Sequence, residues 1–324
     1  MTDSIPLFVS SGDLIADRRY HWALDHAARG DLSAAADILS QTVELAPAFA
    51  AAWFALGAIR DRLGDRAGAI AAFEEARDAD SADYLGARLQ LAVLGRGDVT
   101  PAMSEPYVRR LFDQYAARYD AALTTQLAYR GPAILLGAVE QAMHAAARPL
   151  CFPSALDLGC GTGLAGAAFR PLVDWLVGVD LSPAMAAQAA AKGDYDRLVT
   201  ADLMDFLGGE TRDAAQYHLV LAADVFVYIN DLCPVLASVA SVLAPGGFVA
   251  FTVETHSGDG VKLLPTLRYA HAESHIRRAF KDAELVLASL SDVSIRSEKG
   301  LPMDSLVVVA QASTAPQAVV TSPR

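Results

Sequence analysis

The chain has 324 residues, of which 53% are hydrophobic and 20% charged, and its formal net charge is −12. This length predicts about two domains at roughly 150 residues each, with a large buried core. The acidic balance argues against nucleic acid as a partner, because phosphate binding needs clustered Lys and Arg. Neither a signal peptide nor a membrane-spanning stretch is evident, so we expect a cytoplasmic protein with no membrane partner.

The first hundred residues contain an internal repeat. Gly30 and Gly64 are 34 residues apart, and Leu39 and Phe73 share that offset. This is the period of tetratricopeptide repeats (TPR), so we predict an all-α TPR domain over residues 1–100. Two repeats and a capping helix form either a packing or self-association module or a groove that binds a protein partner.

A linker rich in Gly and small polar residues, from Gly95 to Pro101, separates these repeats from a second domain predicted over residues 101–312. Tyr107, Tyr115 and Tyr119 then recur on one face of a predicted helix. Residues 105–147 are therefore predicted to be helical, and the Ser/Thr/Pro-rich residues 313–324 to form a disordered tail.

Strand and helix patterns alternate after residue 150, which predicts an α/β fold with parallel strands. The five apolar strands are predicted at residues 154–158, 175–179, 197–200, 218–222 and 248–253. Two further strands are predicted at residues 285–290 and 306–310. Ser182 is a plausible N-cap for the helix that begins at Pro183.

A glycine loop, from Asp157 to Gly163, follows the first of these strands. Such loops bind nucleotide-like cofactors in open α/β sheets. Counted from Gly161, the dinucleotide pattern G-x-G-x-x-G is met through Gly166, so an NAD-dependent enzyme stays an alternative. Asp157 disfavours a pyrophosphate and suits a cationic ligand, such as the amino group of a methionine moiety. Asp180, at the end of the second strand, can accept both hydroxyls of a ribose.

These features together resemble the class I S-adenosylmethionine (SAM) methyltransferases over residues 105–311. The resemblance rests on D-L-G-C-G-T-G, on Asp180 and Asp202 after successive strands, and on the Pro245-Gly246-Gly247 turn. With the repeats in front, the chain resembles bacterial predicted methyltransferases that carry TPR. The resemblance implies a Rossmann-like seven-stranded sheet whose last two strands are antiparallel, with SAM as cofactor and S-adenosylhomocysteine (SAH) as product. The cofactor-binding residues it implies are Asp157, Gly159, Cys160, Gly161, Gly163, Asp180, Leu181, Asp202, Leu203, Asp224, Tyr115 and Tyr119.

Several of these assignments have a structural alternative. Asp202 is expected to accept from the adenine amino group, with Leu203 packed on the ring, but Asp202 also fits a helix N-cap. Tyr115 and Tyr119 are expected in a helical lid over SAM, formed by residues 105–147, or, alternatively, in an ordinary connecting helix. The chain departs from the family at Ala121-Ala122, where a more polar pair is expected to contact the substrate. Cys160 is predicted to be a packing residue rather than a nucleophile.

Methyl transfer from a sulfonium is an in-line displacement, so positioning supplies most of what the protein adds. A base is needed only where the acceptor must lose a proton. His271 and Tyr269 are the predicted catalytic residues, beside His256 and Tyr228 as further candidates. Arg268 is predicted to pair with a substrate carboxylate or, alternatively, to form a surface salt bridge. His271 and His275 have helical spacing, but no third ligand is near them and we predict no metal.

The sequence therefore predicts methyl transfer to an O or N acceptor on a small molecule, which a peptide or protein held by the repeats could carry. The main alternative is a TPR adaptor whose methyltransferase fold binds SAM for regulation. We expect His271→Ala to lower turnover and to leave SAM affinity intact.

Overall fold

The computed structural model describes residues 9–97, 103–121, 123, 129–298 and 301–314. The chain divides into two compact units, Met1–Gln114 with Leu263–Leu267, and Tyr115–Lys262 with Arg268–Arg324. The predicted helix that carries Tyr107, Tyr115 and Tyr119 is therefore divided between the two units at Tyr115. Part of the predicted linker, Ala122 and most of the predicted tail lie outside the described residues.

The first unit is helical. Its helices are α1 (Leu14–Ala28), α2 (Leu32–Leu45), α3 (Ala50–Arg62), α4 (Arg66–Ala79), α5 (Ala87–Val93) and α6 (Glu105–Tyr115), the last ending at the first residue of the second unit.

The helices of this unit follow the 34-residue offset seen in the sequence. Asp31 caps α2 and Asp65 caps α4, each side chain accepting a hydrogen bond from the backbone N–H three residues later. The glycines that precede these caps have positive φ, +85° and +81°, which lets the chain reverse between helices. Leu39 and Phe73 occupy equivalent buried positions. The unit thus consists of two repeating helix pairs followed by α5 and α6, and its assignment to TPR stays a prediction.

The second unit alternates strands and helices. Its helices are α7 (Tyr119–Ala121), α8 (Gly131–Ala145), α9 (Leu164–Phe169), α10 (Pro183–Lys192), α11 (Leu203–Arg212), α12 (Leu232–Val242) and α13 (Glu273–Asp282). Its longer strands are β1 (Phe152–Leu158), β2 (Val173–Asp180), β3 (Arg197–Thr200), β4 (Tyr217–Ala222), β5 (Leu243–Glu254), β8 (Val286–Val293) and β11 (Ser305–Gln311). The short strands are β6 (Val261–Leu263), β7 (Tyr269–His271), β9 (Ser297–Glu298) and β10 (Leu301–Pro302).

The main sheet has the order β3-β2-β1-β4-β5-β11-β8, and β6 and β7 extend it beside β5. The described sheet therefore has nine strands, and the predicted count of seven is wrong. The two extra strands have three residues each, too few to show a period-2 pattern in the sequence. β1 to β5 are parallel, whereas β11 is antiparallel to both β5 and β8. Only one of the last two long strands therefore runs against the others.

Both faces of the central strands β1, β4 and β5 are buried, as parallel strands require. Leu156 and Leu158 face a core cluster that includes residues of α11, α12 and α13. Ala155 faces the opposite cluster, which includes residues of α8 and the buried Phe169 of α9. This alternation along β1 places Asp157 on the same face as Ala155. Within the described residues, no helix combines the length and apolar character needed to cross a membrane.

Candidate functional site

The glycine loop lies at the carboxyl end of β1, whose neighbours in the sheet are β2 and β4. The strand order reverses direction at this point, and such a crevice is where open α/β sheets bind ligands. A cavity opens there, with about 330 Å³ of empty space that includes part of the open solvent. Its lining includes Tyr119, Tyr129, Asp157, Gly159, Gly161 and Thr162.

Asp157 is a buried carboxylate in the wall of this cavity, with 1% of its surface exposed. Its Oδ2 accepts a hydrogen bond of 2.6 Å from the hydroxyl of Tyr195. Its Oδ1 has no hydrogen-bond partner among the described residues. Burial raises the pKa of Asp157 to about 7; the bond from Tyr195 opposes this shift, and nearby Asp180 adds to it. A buried anion of this kind is stabilised by a cation brought by a ligand.

Gly161 is the open position of the loop. Its φ is +55°, and nothing lies within 4 Å of where a Cβ would stand. Its N–H donates to Oδ2 of Asp180 at 2.8 Å. Gly159 differs, because a Cβ there would meet Val225 at 2.6 Å. A ligand can therefore approach the backbone closely at Gly161, whereas Gly159 is needed for packing.

Gly163 and Gly166 provide room for the ring of Tyr195. A Cβ on Gly166 would lie 2.2 Å from the hydroxyl oxygen of Tyr195, and one on Gly163 would lie 3.2 Å from the ring. The packing of Tyr195 explains why a glycine, Gly166, stands at the last position of the pattern that starts at Gly161. A bound dinucleotide is not needed to explain it.

Asp180 joins the glycine loop to the start of α10. Besides the bond from Gly161, its Oδ1 accepts from the N–H of Ser182 at 2.8 Å. Ser182 caps α10 as predicted, since its hydroxyl accepts from Met185 N. Leu181 lies between these two residues. Each carboxylate oxygen has a second lone pair, so the predicted acceptance of ribose hydroxyls stays compatible with this geometry.

Asp202 is the N-cap of α11, the helix that begins at Leu203. Its Oδ1 accepts from the N–H groups of Met204 and Asp205 at 2.8 and 3.3 Å. The structural alternative considered for Asp202 is thus observed, and its contact with adenine stays a prediction.

The segment after α6 is tied to the glycine loop by contacts that the sequence did not indicate. The hydroxyl of Thr162 donates to Asp120, and Nζ of Lys192 pairs with the same carboxylate at 2.6 Å. Tyr119 lines the cavity beside this link. Tyr115 is not among the described lining residues, and the guanidinium of Arg118 lies 5.9 Å from its ring centre.

A buried ion network lies at the ends of β4 and β5. Arg296, which follows β8, donates to the carboxylates of Asp224 and Glu254. Arg268 also approaches Glu254, at 3.4 Å, so Arg268 pairs with a buried carboxylate and not in the surface salt bridge that was considered. Burial works against the charge of Arg296, but Asp224 and Glu254 raise its pKa above the usual value.

This network faces the tyrosines of the cavity. Burial raises the pKa of both Tyr119 and Tyr129, and the charge of Asp224 adds to each shift. Arg296 was missed from the sequence. The available signal was a pair of carboxylates, Asp224 and Glu254, at the ends of two adjacent parallel strands, because such a buried pair requires a cation.

The predicted catalytic residues lie apart from the described cavity lining. His271 is fully buried, donates through Nε2 to the carbonyl of Ile229 at 2.9 Å, and stacks on His275. Burial lowers the pKa of His271 to about 4, and His275 adds to the shift. Tyr269 is 1% exposed. None of His271, Tyr269 and Arg268 lines the cavity, so their catalytic roles stay predictions. Among the described residues no group of side chains forms a metal site.

The sequence from residue 156 to residue 249 matches the family model described as a methyltransferase domain. The chain is 33% identical to human (Homo sapiens) methyltransferase-like protein 27 over 151 residues, which cover 46% of this chain and 58% of that protein. It is 37% identical to the ubiquinone biosynthesis O-methyltransferase of Bradyrhizobium sp. (strain ORS 278) over 101 residues, 29% of this chain and 37% of that protein. The matched part is thus less than two thirds of either relative.

Among solved structures, the chain resembles 1,6-didemethyltoxoflavin-N1-methyltransferase of Burkholderia thailandensis. The TM-score is 0.48, with 21% identity over 64% of this chain and 87% of that one. It also resembles the N-methyltransferase NodS of Bradyrhizobium japonicum, with a TM-score of 0.40 and 16% identity over 53% of this chain and 84% of that one.

The family match and the curated relatives support a methyltransferase, which is the reaction class predicted from the sequence.

Proposed function

We propose that this chain transfers a methyl group from SAM to an O or N acceptor on a small molecule. The observation that carries the proposal is Asp157, whose buried Oδ1 has no described partner and which lines the cavity beside the open Gly161. SAM has both features that such a site requires, because its methionine moiety carries an ammonium group and its body is slender enough to lie along a bare backbone.

Each part of SAM has a set of residues at the site that would bind it. Asp157 would accept from the ammonium group, and the backbone of Gly159, Cys160, Gly161 and Gly163 would lie along the methionine moiety. Asp180 would hold the ribose, and Asp202 and Leu203 the adenine. When bound, SAM supplies an electrophilic methyl group that needs no further activation.

The remaining work of the chain is to orient the acceptor and to exclude water. Tyr119 and Tyr129 have raised pKa values, so they are protonated at neutral pH and can donate hydrogen bonds to an acceptor. Asp224 and Tyr228 act electrostatically on Tyr119 and would complete this wall, and Tyr115 would contribute at its edge. A proton acceptor is required only for an acceptor that must lose its proton early. His271, assisted by Tyr269 and Arg268, would serve only if the buried segment around it opened.

The helix pairs of the first unit, repeating every 34 residues, support the proposal of TPR. In that case the repeats would hold a peptide or protein that carries the acceptor, or would mediate self-association. We propose a cytoplasmic location, with neither nucleic acid nor membrane as a partner.

The proposal is tested by incubating the full chain with methyl-labelled SAM and fractionated cell extract. A Gly161→Ala variant serves as the control in which the loop is blocked. We expect label in a small-molecule fraction, or on a peptide, with the wild type and much less with the variant. SAM binding without any labelled product would favour the regulatory adaptor. NAD binding without SAM binding would favour a dehydrogenase.

A further inference from the structure

Tyr195 lies just before β3 and reaches Asp157, 38 residues earlier in the chain. Its hydroxyl donates to Oδ2 of Asp157 at 2.6 Å. The hydrogen bond occupies one carboxylate oxygen, and Oδ1 is left as the oxygen without a described partner. The orientation of the Asp157 carboxylate therefore depends on Tyr195.

Three glycines hold the ring of Tyr195 in place. A Cβ on Gly166 would lie 2.2 Å from the phenol oxygen, and a Cβ on Gly178 would lie 2.8 Å from the ring. Gly163 is next to the same ring, at 3.2 Å. Because glycines from the loop, α9 and β2 all make room for it, the ring has little freedom to turn its hydroxyl away from Asp157.

We propose that Tyr195 is a positioning residue for the methyl donor. It fixes the carboxylate of Asp157 so that Oδ1 accepts a hydrogen bond from the ammonium group of the methionine moiety of SAM. This inference rests on the proposed function and assigns Tyr195 no direct contact with the reacting atoms.

The groups around Asp157 predict how the affinity for an ammonium ligand changes with pH. Asp180 approaches it from the end of β2, Cys160 from the glycine loop, and Tyr129 from the segment before α8. None of these groups is cationic. Burial raises the pKa of Asp157 to about 7 and the bond from Tyr195 opposes the shift. Affinity for an ammonium ligand should therefore rise with pH through about 7, and removal of the Tyr195 hydroxyl should move this midpoint to higher pH.

The test is a calorimetric titration of the full chain with SAH, which carries the same ammonium group, between about pH 5 and pH 9. Tyr195→Phe keeps the ring in its glycine-lined site and removes only the hydroxyl. Tyr217→Phe is the matched control, because that buried hydroxyl donates to Glu210 at 2.5 Å and does not line the cavity. We expect Tyr195→Phe to weaken SAH binding by about tenfold or more at pH 7, with the midpoint shifted upward, and Tyr217→Phe to change neither.

A double-mutant cycle separates positioning from packing. In an Asp157→Asn background, Tyr195→Phe should cause no further loss of affinity, because its effect passes through the carboxylate. Equal affinity and midpoint in wild type and Tyr195→Phe would overturn the inference, as would a uniform loss with an unmoved midpoint. If Tyr195→Phe does not fold, Asp157→Asn alone decides, since unchanged SAH affinity and pH dependence in that variant would also overturn it. Failure of the wild type to bind SAH at any pH would instead overturn the proposed function.

Discussion

The guanidinium of Arg296 pairs with the carboxylate of Asp224, although the two residues are 72 positions apart. Asp224 has a φ of +61°, a left-handed conformation that few residues other than glycine adopt. Its N–H donates to the hydroxyl of Thr252 at 2.9 Å. The ion pair and this hydrogen bond hold a strained residue where β4 meets the cavity, as is common at functional sites.

Replacement of Arg296 by Met should destabilise the protein severely. The change leaves two buried carboxylates, Asp224 and Glu254, without their main cation, and breaking such a pair costs about 3–5 kcal/mol. Urea denaturation followed by circular dichroism measures the loss. Arg277→Ala, which removes an exposed i,i+4 pair with Glu273, is the control and should cost about 0.5 kcal/mol or less. Similar losses for the two variants would contradict this account of the network.

Gly161 and Gly193 form a matched pair for testing the glycine loop. Both have positive φ, +55° and +76°, and open space where a Cβ would stand. Alanine at either position should cost about 1 kcal/mol in the free energy of unfolding. Only Gly161 lines the cavity, so only Gly161→Ala should lower SAH affinity strongly, which titration calorimetry measures. Unaltered SAH affinity in Gly161→Ala would show that the ligand does not approach the loop there.

Gly166 is expected to tolerate no side chain. A Cβ would clash with Tyr195 at 2.2 Å, and overpacking of this kind costs about 1–3 kcal/mol. Gly137 lies within α8 with nothing within 4 Å of a Cβ, so Gly137→Ala should stabilise by about 0.5–1 kcal/mol. Thermal unfolding of both variants measures whether Gly166→Ala lowers the stability of the fold and Gly137→Ala raises it. A stable Gly166→Ala chain would mean that Tyr195 can move aside.

The ionised carboxylate of Asp157 should lower the free energy of unfolding at neutral and alkaline pH. Its folded pKa of about 7 lies above the ordinary value of 3.8, so between these values the folded chain binds a proton that the unfolded chain releases. The free energy of unfolding therefore falls as pH rises through this window, and the whole penalty is present above it. Asp157→Asn should stabilise the ligand-free protein by on the order of 2–4 kcal/mol at pH 8, and by almost nothing near pH 4.

Denaturant unfolding at the two pH values measures this difference. Asp174→Asn, a change at an exposed position of β2, removes the same charge and should have little effect at either pH. Equal effects of the two substitutions would contradict the burial of the Asp157 charge.

The parts of the fold that depend on residues close together in the sequence were predictable. Apolar runs gave the five parallel strands, and the bounds of β3 were predicted correctly. Ser182 was recognised as an N-cap because capping joins residues only a few positions apart.

The contacts that shape the site join distant segments and were not predictable. Tyr195 meets Asp157 across 38 residues, and Thr162 meets Asp120 across 42. No spacing rule connects such positions, since they become neighbours only when the sheet forms. His271 and His275 show the opposite case. Their spacing of four indicated one helix face, but His271 ends β7 and only His275 lies in α13. The two rings stack in the core and not in the described cavity lining.

The central claim is that the chain binds SAM through Asp157 and the glycine loop. Titration calorimetry of the full chain at pH 8, with SAH and NAD in separate experiments, tests it most directly. The account predicts saturable binding of SAH that Asp157→Asn weakens strongly, and no binding of NAD. Saturable binding of NAD, with none of SAH, would contradict it.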